Sequence, residues 1–267
     1  MLKDITLGQY FPGNTPVHRL DPRTKLIWLI GYIVALFSAK GWAGYALMAA
    51  VLVMMSALSH IKPKTLFSGL KPLIFIVIFT GVINLLYGSG EPLVKFWIFK
   101  ITANGIRNAV FMVSRIIMLV CGTFLLTYTT SPLSLTDGLE LLLGPLKKIK
   151  LPVHELSMMM SIALRFIPTL IEETDRIMSA QKARGASFDT GKLTERAKAL
   201  LPLLVPLFVS AFRRADELAT AMECRCYHGG EGRTRMKTLR YSALDVWAFL
   251  AMAVMIAAVF VLRHFGL

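Results

Sequence analysis

Charge is scarce in this chain, and acidic charge is the scarcest. Only 17% of the 267 residues are Asp, Glu, Lys or Arg, against roughly 25% in an ordinary soluble domain. Several stretches of membrane length are almost free of charge, which excludes a simple soluble globule. Cysteine is rare as well. Cys121, Cys224 and Cys226 are too few and too irregularly placed for a disulfide framework. No G-x-x-x-x-G-K-[ST] loop occurs, since Gly88-Ser-Gly90 and Gly229-Gly-Glu-Gly232 lack the lysine. The chain therefore has no Walker-type nucleotide loop of its own. His18, His60, His154 and His264 are scattered, with no H-E-x-x-H pair, so no metal or other cofactor is expected. No secretory signal pattern is present, because the first 24 residues are polar and bear Pro and Gly.

What is present is a series of apolar runs. A spanning helix needs about 20 mostly apolar residues. The candidates are Leu26 to Ala39, Trp42 to Ser59, Pro72 to Tyr87, Ala109 to Tyr128 and Ala243 to Leu262. The first is short, and Lys25 and Lys40 at its ends are expected to reach the headgroups. About five transmembrane helices in an all-α polytopic protein is the fold class these runs predict. The formal charge of +14 would suggest nucleic acid in a soluble protein. In a membrane protein it has a simpler source, since Lys and Arg collect in cytoplasmic loops, and no nucleic-acid partner is expected.

Orientation follows from the same rule. Lys3, Arg19, Arg23 and Lys25 precede the first run, and Lys62, Lys64 and Lys71 lie between the second and third. Both groups are inside if the N-terminus is cytoplasmic. Residues 131–241 then also lie inside, and they hold 17 of the 30 Lys and Arg, as the rule requires. Lys95, Lys100 and Arg107, on the opposite side, run against it. The plan is a membrane domain over 1–130, a cytoplasmic helical region over 131–241 and a last transmembrane helix over 242–267. Arg115 stands inside the fourth run, about seven residues from its expected start. It reads either as a functional intramembrane charge or, preferably, as a side chain snorkelling outward.

The region 131–241 is too charged for a membrane and too apolar to be fully solvated. His154 to Ala183 predicts a long helix bent at Pro168. Met158, Ile162, Phe166, Leu170 and Ile177 recur along one face. A second helix is predicted from about Glu195 to Glu223, kinked at Pro202 and Pro206. Its apolar part, Leu200 to Phe212, is followed at once by Arg213-Arg214. It reads as an amphipathic surface packed on the membrane part or on a partner. The two helices end alike: at an offset of 41, Asp175 matches Asp216, Ile177 Leu218, Ala180 Ala221, and Arg184 Arg225. One such arginine is ordinary helix capping. Two with matched neighbours suggest a pair of equivalent receptors, for which the rigid guanidinium fork is suited.

These pieces resemble the transmembrane coupling (T) subunits of energy-coupling factor (ECF) transporters, the EcfT/CbiQ family. The matching stretches are His18-Arg-Leu-Asp-Pro-Arg-Thr-Lys25, Leu164-Arg-Phe-Ile-Pro168, Ala183-Arg184-Gly185 and Cys224-Arg225-Cys226. The resemblance implies a non-catalytic subunit of an ATP-driven vitamin or metal importer in the cell membrane. It implies long cytoplasmic coupling helices in an L-shaped molecule. It further implies docking of the two arginine motifs into two ABC-type ATPase subunits, with ATP hydrolysed there, and a small substrate-binding membrane (S) subunit against the helices' apolar faces. Met158, Met159 and Met160 are candidate S-subunit contacts, methionine being adaptable; plain core packing is the other reading. Cys226 stands where the family pattern has glycine, which puts a left-handed helix cap there in question.

Three rival readings stay open. Cys224, Cys226 and His228 form a Cys-x-Cys-x-His group, but without a fourth ligand or the usual zinc spacing. A self-sufficient secondary transporter would show repeats within the membrane, whereas this repeat lies outside it. A membrane-embedded enzyme would need clustered acids or histidines, and Glu172, Glu173 and Asp175 read better as a solvated helix face.

Overall fold

The computed structural model describes residues 10–86, 92–96, 99–186, 193–229 and 238–266. Helices begin where the sequence signals them, often at a proline whose fixed φ suits a first turn: α1 (Pro16–Arg19), α2 (Pro22–Ser38), α4 (Pro63–Leu70) and α7 (Pro132–Leu142). Between them lie α3 (Gly41–Leu58), a 3-10 turn at Lys71–Leu73, α5 (Ile74–Leu86) and α6 (Ala103–Thr129). Then follow α8 (Val153–Ala183), α9 (Leu193–Glu223) and α10 (Ala243–His264). The 3-10 turn contains Pro72, whose missing N–H interrupts the helical ladder between α4 and α5. A short antiparallel hairpin, β1 (Pro92–Phe96) and β2 (Phe99–Thr102), precedes α6. No sequence reading anticipated it. Tyr87, the expected end of the third span, lies outside the described residues.

Among the described residues, four helical stretches are long and apolar enough to cross a membrane: Gly41–Leu58, Pro63–Leu86, Ala103–Thr129 and Ala243–His264. The expected first span forms α2, a helix of 17 residues. At 1.5 Å per residue that is about 26 Å, the lower edge of a bilayer's hydrocarbon thickness. It is nonetheless central to the packing. Tyr32, Ala35 and Leu36 of α2 join Tyr45 and Met48 of α3, Met118 of α6, and Met255 and Val259 of α10 in one buried cluster. A second cluster joins Leu66 and Leu70 of α4 to Cys121, Leu125 and Tyr128 of α6. Helices approach closely through small residues, as membrane helices commonly do. A Cβ on Gly122 would stand 2.8 Å from the Tyr32 ring, and one on Gly69 would stand 2.5 Å from that of Phe124.

The chain divides into two compact units. One is built on the described residues within 10–138 and 239–266, and the other on those within 139–238. In the first unit, the stretch His18 to Lys25 forms a buried polar latch. Lys25, expected to reach the headgroups, is instead 7% exposed. Its ammonium donates to the carbonyls of His18 and Thr129 and to Thr130 Oγ1, at 3.2, 2.9 and 3.1 Å. Asp245, 1% exposed, accepts from the Asp21 amide at 2.9 Å and from the Ser242 amide and hydroxyl at 2.7 and 2.8 Å. The latch thus ties the start of α2 to the end of α6 and the start of α10. Asp21 caps α2 through the Arg23 amide and pairs with the Arg23 guanidinium at 2.8 Å.

Candidate functional site

The second unit contains the duplicated arginine motifs, and its backbone explains why the duplication matters. α8 and α9 are each 31 residues long, about 46 Å at the helical rise. α8 has Glu155 in its first turn and Lys182 in its last, both placed to favour the helix dipole. It runs through Pro168, and α9 runs through Pro202 and Pro206. Glu173 of α8 accepts a hydrogen bond and ion pair from Arg214 of α9 at 2.7 Å. A groove beside this contact is lined by Phe166, Ser210, Arg213, Arg214, Glu217 and Leu218.

Both helices stop with the same hydrogen-bonded cap. At the end of α8, the Gly185 amide donates to the Lys182 carbonyl and the Ala186 amide to that of Gln181, each at 3.0 Å. At the end of α9, the Cys226 amide donates to the Glu223 carbonyl at 2.8 Å and the Tyr227 amide to that of Met222 at 3.1 Å. These paired bonds are the Schellman arrangement, which needs a left-handed residue just past the helix. Gly185 supplies it with φ +89°, and Cys226 with φ +56°. The left-handed cap that the Gly-to-Cys difference put in question is therefore formed. Its cost is roughly 1–2 kcal/mol for a residue with a Cβ, against none for Gly185.

Arg184 and Arg225 each occupy the position just before that left-handed residue. Each side chain is exposed, and among the described residues neither guanidinium has a hydrogen-bond or ion-pair partner. The terminal carbonyls are bonded by backbone amides instead. Capping thus does not consume the guanidinium groups, which leaves ten N–H donors directed at nothing within the described chain. The flanking Ala183, Cys224 and Cys226 are exposed and small, so another surface can approach both tips closely.

The apolar faces sort the three candidate methionines. Met158 is half-buried, like Ile162, Phe166, Leu170 and Ile177 along the predicted stripe of α8, whereas Met159 and Met160 are exposed beside Leu156. A larger exposed surface lies on α9: Leu200, Leu201, Leu204, Val205, Phe208, Val209 and Phe212. Their spacing is one helical face. The sequence showed these residues as an apolar run, but their exposure needed the structure. Cys224 and Cys226 are free, exposed thiols, and among the described residues no three His, Cys, Asp or Glu side chains converge as a metal site would need.

Arg115 is also placed differently from expectation. α6 begins at Ala103, capped by the Thr102 hydroxyl accepting from the Gly105 amide at 3.0 Å. Arg115 therefore lies twelve residues inside its helix, about 18 Å along it, and lines a cavity together with Asn104, Arg107 and Asn108 from the helix's first turns.

Helices long and apolar enough to cross a membrane in one unit, and two long helices ending in paired arginine tips in the other, define a polytopic α-helical membrane protein. The chain belongs to the CbiQ family, described as cobalt transport proteins, whose family model matches residues 13–236. It is 53% identical over 250 residues to the energy-coupling factor transporter transmembrane protein EcfT of Thermosediminibacter oceani, covering 94% of both chains. To the EcfT of Acidaminococcus fermentans it is 51% identical, over 99% of this chain and 97% of the relative. To that of Bacillus subtilis it is 48% identical, over 98% of this chain and all of the relative. The chain is thus an ECF transporter transmembrane component.

Proposed function

We propose that this chain is the non-catalytic coupling subunit of an ECF-type importer for a vitamin or a metal ion. Arg184 and Arg225 dock into two ABC-type ATPase subunits, one each, and those partners hydrolyse the ATP. A small membrane S subunit binds the substrate and rests against the apolar faces of α8 and α9, with Met159, Met160 and the Leu200–Phe212 stripe as its contacts. Movement of the ATPases turns the two helices and reorients the S subunit. In this reading the N-terminus and residues 131–241 are cytoplasmic, in keeping with the Lys/Arg distribution.

The observation that carries the reading is the repeated cap. Two exposed arginines stand at equivalent positions on equivalent helix ends, with their donors unspent. Helix capping accounts for one arginine near a C-terminus; it does not account for a matched pair that leaves the carbonyls to the backbone. Purification of the tagged chain from its native host in mild detergent, followed by mass spectrometry, tests the proposal. Two ATPase chains and a small membrane protein should co-purify, and the identity of the last would name the substrate. A folded chain recovered alone, active in transport without an ATPase, would establish a self-sufficient carrier instead.

A further inference from the structure

A cavity of about 560 Å³ opens in the first unit where α2 gives way to α3 and α6 begins. One face of α6 provides Asn104, Arg107, Asn108, Phe111, Met112 and Arg115, at spacings that place them in a single stripe. Lys40, Tyr45 and Asn84 complete the wall from the neighbouring helices. Three cations and three amides thus face one space, and among the described residues no carboxylate lines it.

The two arginines are held in place without being neutralised. The Arg115 guanidinium lies 5.3 Å from the centre of the Phe37 ring and 5.7 Å from that of Tyr45. The Arg107 guanidinium lies 5.4 Å from the centre of the Phe111 ring. Phe111 in turn stacks on Tyr45 at 4.8 Å and packs against Trp42 at the same distance. Ring faces attract a cation but accept none of its in-plane N–H bonds. None of the three cations forms an ion pair among the described residues, and Arg115 Nε is buried with no hydrogen-bond partner. A buried charged donor left this way is costly, and a charge at membrane depth is more so unless it lines a functional cavity. Anionic oxygens would satisfy it.

The surroundings indicate what brings those oxygens. The cavity lies among stretches long and apolar enough to span a membrane: α3, the Pro63–Leu86 stretch that ends in α5, and α6. It runs from Lys40, at the α2–α3 turn, to Arg115, about 18 Å inside α6. Beside it Phe37 and Trp42 are 57% and 61% exposed, and tryptophan is characteristic of the headgroup level. A ligand with an anionic phosphodiester and acyl chains matches both the cationic wall and the apolar rim. We propose that this cavity binds the headgroup of an anionic phospholipid, with Arg107 and Arg115 holding the phosphodiester and Lys40 at the entrance. The site is independent of the arginine tips.

The test uses the full chain, with whatever subunits accompany it, in detergent supplied with equal amounts of phosphatidylglycerol and phosphatidylcholine. Native mass spectrometry counts the lipid retained. About one phosphatidylglycerol per chain should persist, and Arg107→Gln/Arg115→Gln should weaken its retention about ten-fold or more. Lys62→Gln/Lys64→Gln, which removes as much charge from two exposed residues at the start of α4, away from the cavity, should leave retention unchanged. Phosphatidylglycerol should also raise the melting temperature of the unaltered protein above that in phosphatidylcholine, a readout that needs no substitution. Equal retention of both lipids, equal loss in the two paired variants, or no rise in melting temperature would overturn the proposal. Displacement of the lipid by millimolar inorganic phosphate would also overturn it, and would assign the cavity to a free anion.

Discussion

Glu173 and Arg214 meet at 2.7 Å across α8 and α9, and they are separated by 41 residues, the same offset that aligns Arg184 with Arg225. The contact thus joins equivalent positions of the repeat. Each arginine tip stands eleven residues beyond it on its own helix, about 16 Å at the helical rise. Two matched arms extending equally from a shared contact suit a pseudo-symmetric pair of receptors. The ion pair itself is part-exposed, with 31% and 22% of the two side chains accessible. Pairs of that kind contribute at most about 1 kcal/mol. It joins the two helices at a defined register.

Reversing one partner of that pair should therefore impair coupling more than folding. Glu173→Arg places two cations together and should lower ATP-dependent uptake by the assembled complex several-fold. The melting temperature should fall by no more than about 4 °C, the shift expected for roughly 1 kcal/mol in a chain of this size. The exchange Glu173→Arg/Arg214→Glu should recover most of the uptake. A single reversal that leaves uptake intact would show that the contact does not set the helices' register.

The two helix caps should respond oppositely to substitution. Cys226 pays the left-handed cost and Gly185 does not. Cys226→Gly should hold or slightly raise the melting temperature, since the relief is partly offset by glycine's greater freedom when unfolded. Gly185→Val forces a β-branched residue into φ +89° and should cost about 1–2 kcal/mol while misdirecting Arg184. Thermal melting in detergent, with partner binding measured alongside, distinguishes the two. A stabilising Gly185→Val would contradict the cap.

The N-terminal latch should loosen in acid. The His18 ring is hydrogen-bonded to the Phe11 carbonyl through Nε2 at 3.0 Å and to the Thr15 hydroxyl through Nδ1 at 2.6 Å, an arrangement that the neutral ring satisfies. Burial pushes its pKa below the ordinary 6.5, the Phe11 contact opposes this, and the charge of Lys25 reinforces it. Below 6.5 the unfolded chain binds this proton more readily than the folded one, so stability rises with pH across that window. The contribution is complete above about pH 6.5 and is lost as pH falls through the lowered folded value. The drop in melting temperature from about pH 7.5 to about pH 5.5 should be larger for the native chain than for His18→Gln. Equal drops would show that His18 does not titrate in this way.

Much of this was legible because charge and hydropathy alone dictate it. The apolar runs gave the membrane helices, and the repeated Asp-to-Arg pattern gave the paired tips. What the sequence withheld depended on three-dimensional neighbours. Lys25 reads as a flanking lysine until the Thr129 and Thr130 oxygens are seen around its ammonium. Cys226 reads as an obstacle to a left-handed cap, yet the Glu223 and Met222 carbonyls bind the amides that form one. α6 starts six residues before the apolar run at Ala109 because its first turns carry polar Asn104 and Arg107, and Thr102 three residues before Gly105 is the cap signal that marks this start. The exposure of the α9 stripe follows from what does not cover it, which no periodicity reveals.

The central claim is that Arg184 and Arg225 are a pair of equivalent docking tips. Its most direct test is the Arg184→Glu/Arg225→Glu variant, with association of the ATPase subunits measured at physiological salt and the fold checked by its melting temperature. Both side chains are exposed and partner-free among the described residues, so the fold should be retained while the ATPases are released. Each single change should weaken association less, because the remaining contact keeps the partner at high effective concentration. ATPases that stay bound to a folded double variant would contradict the account.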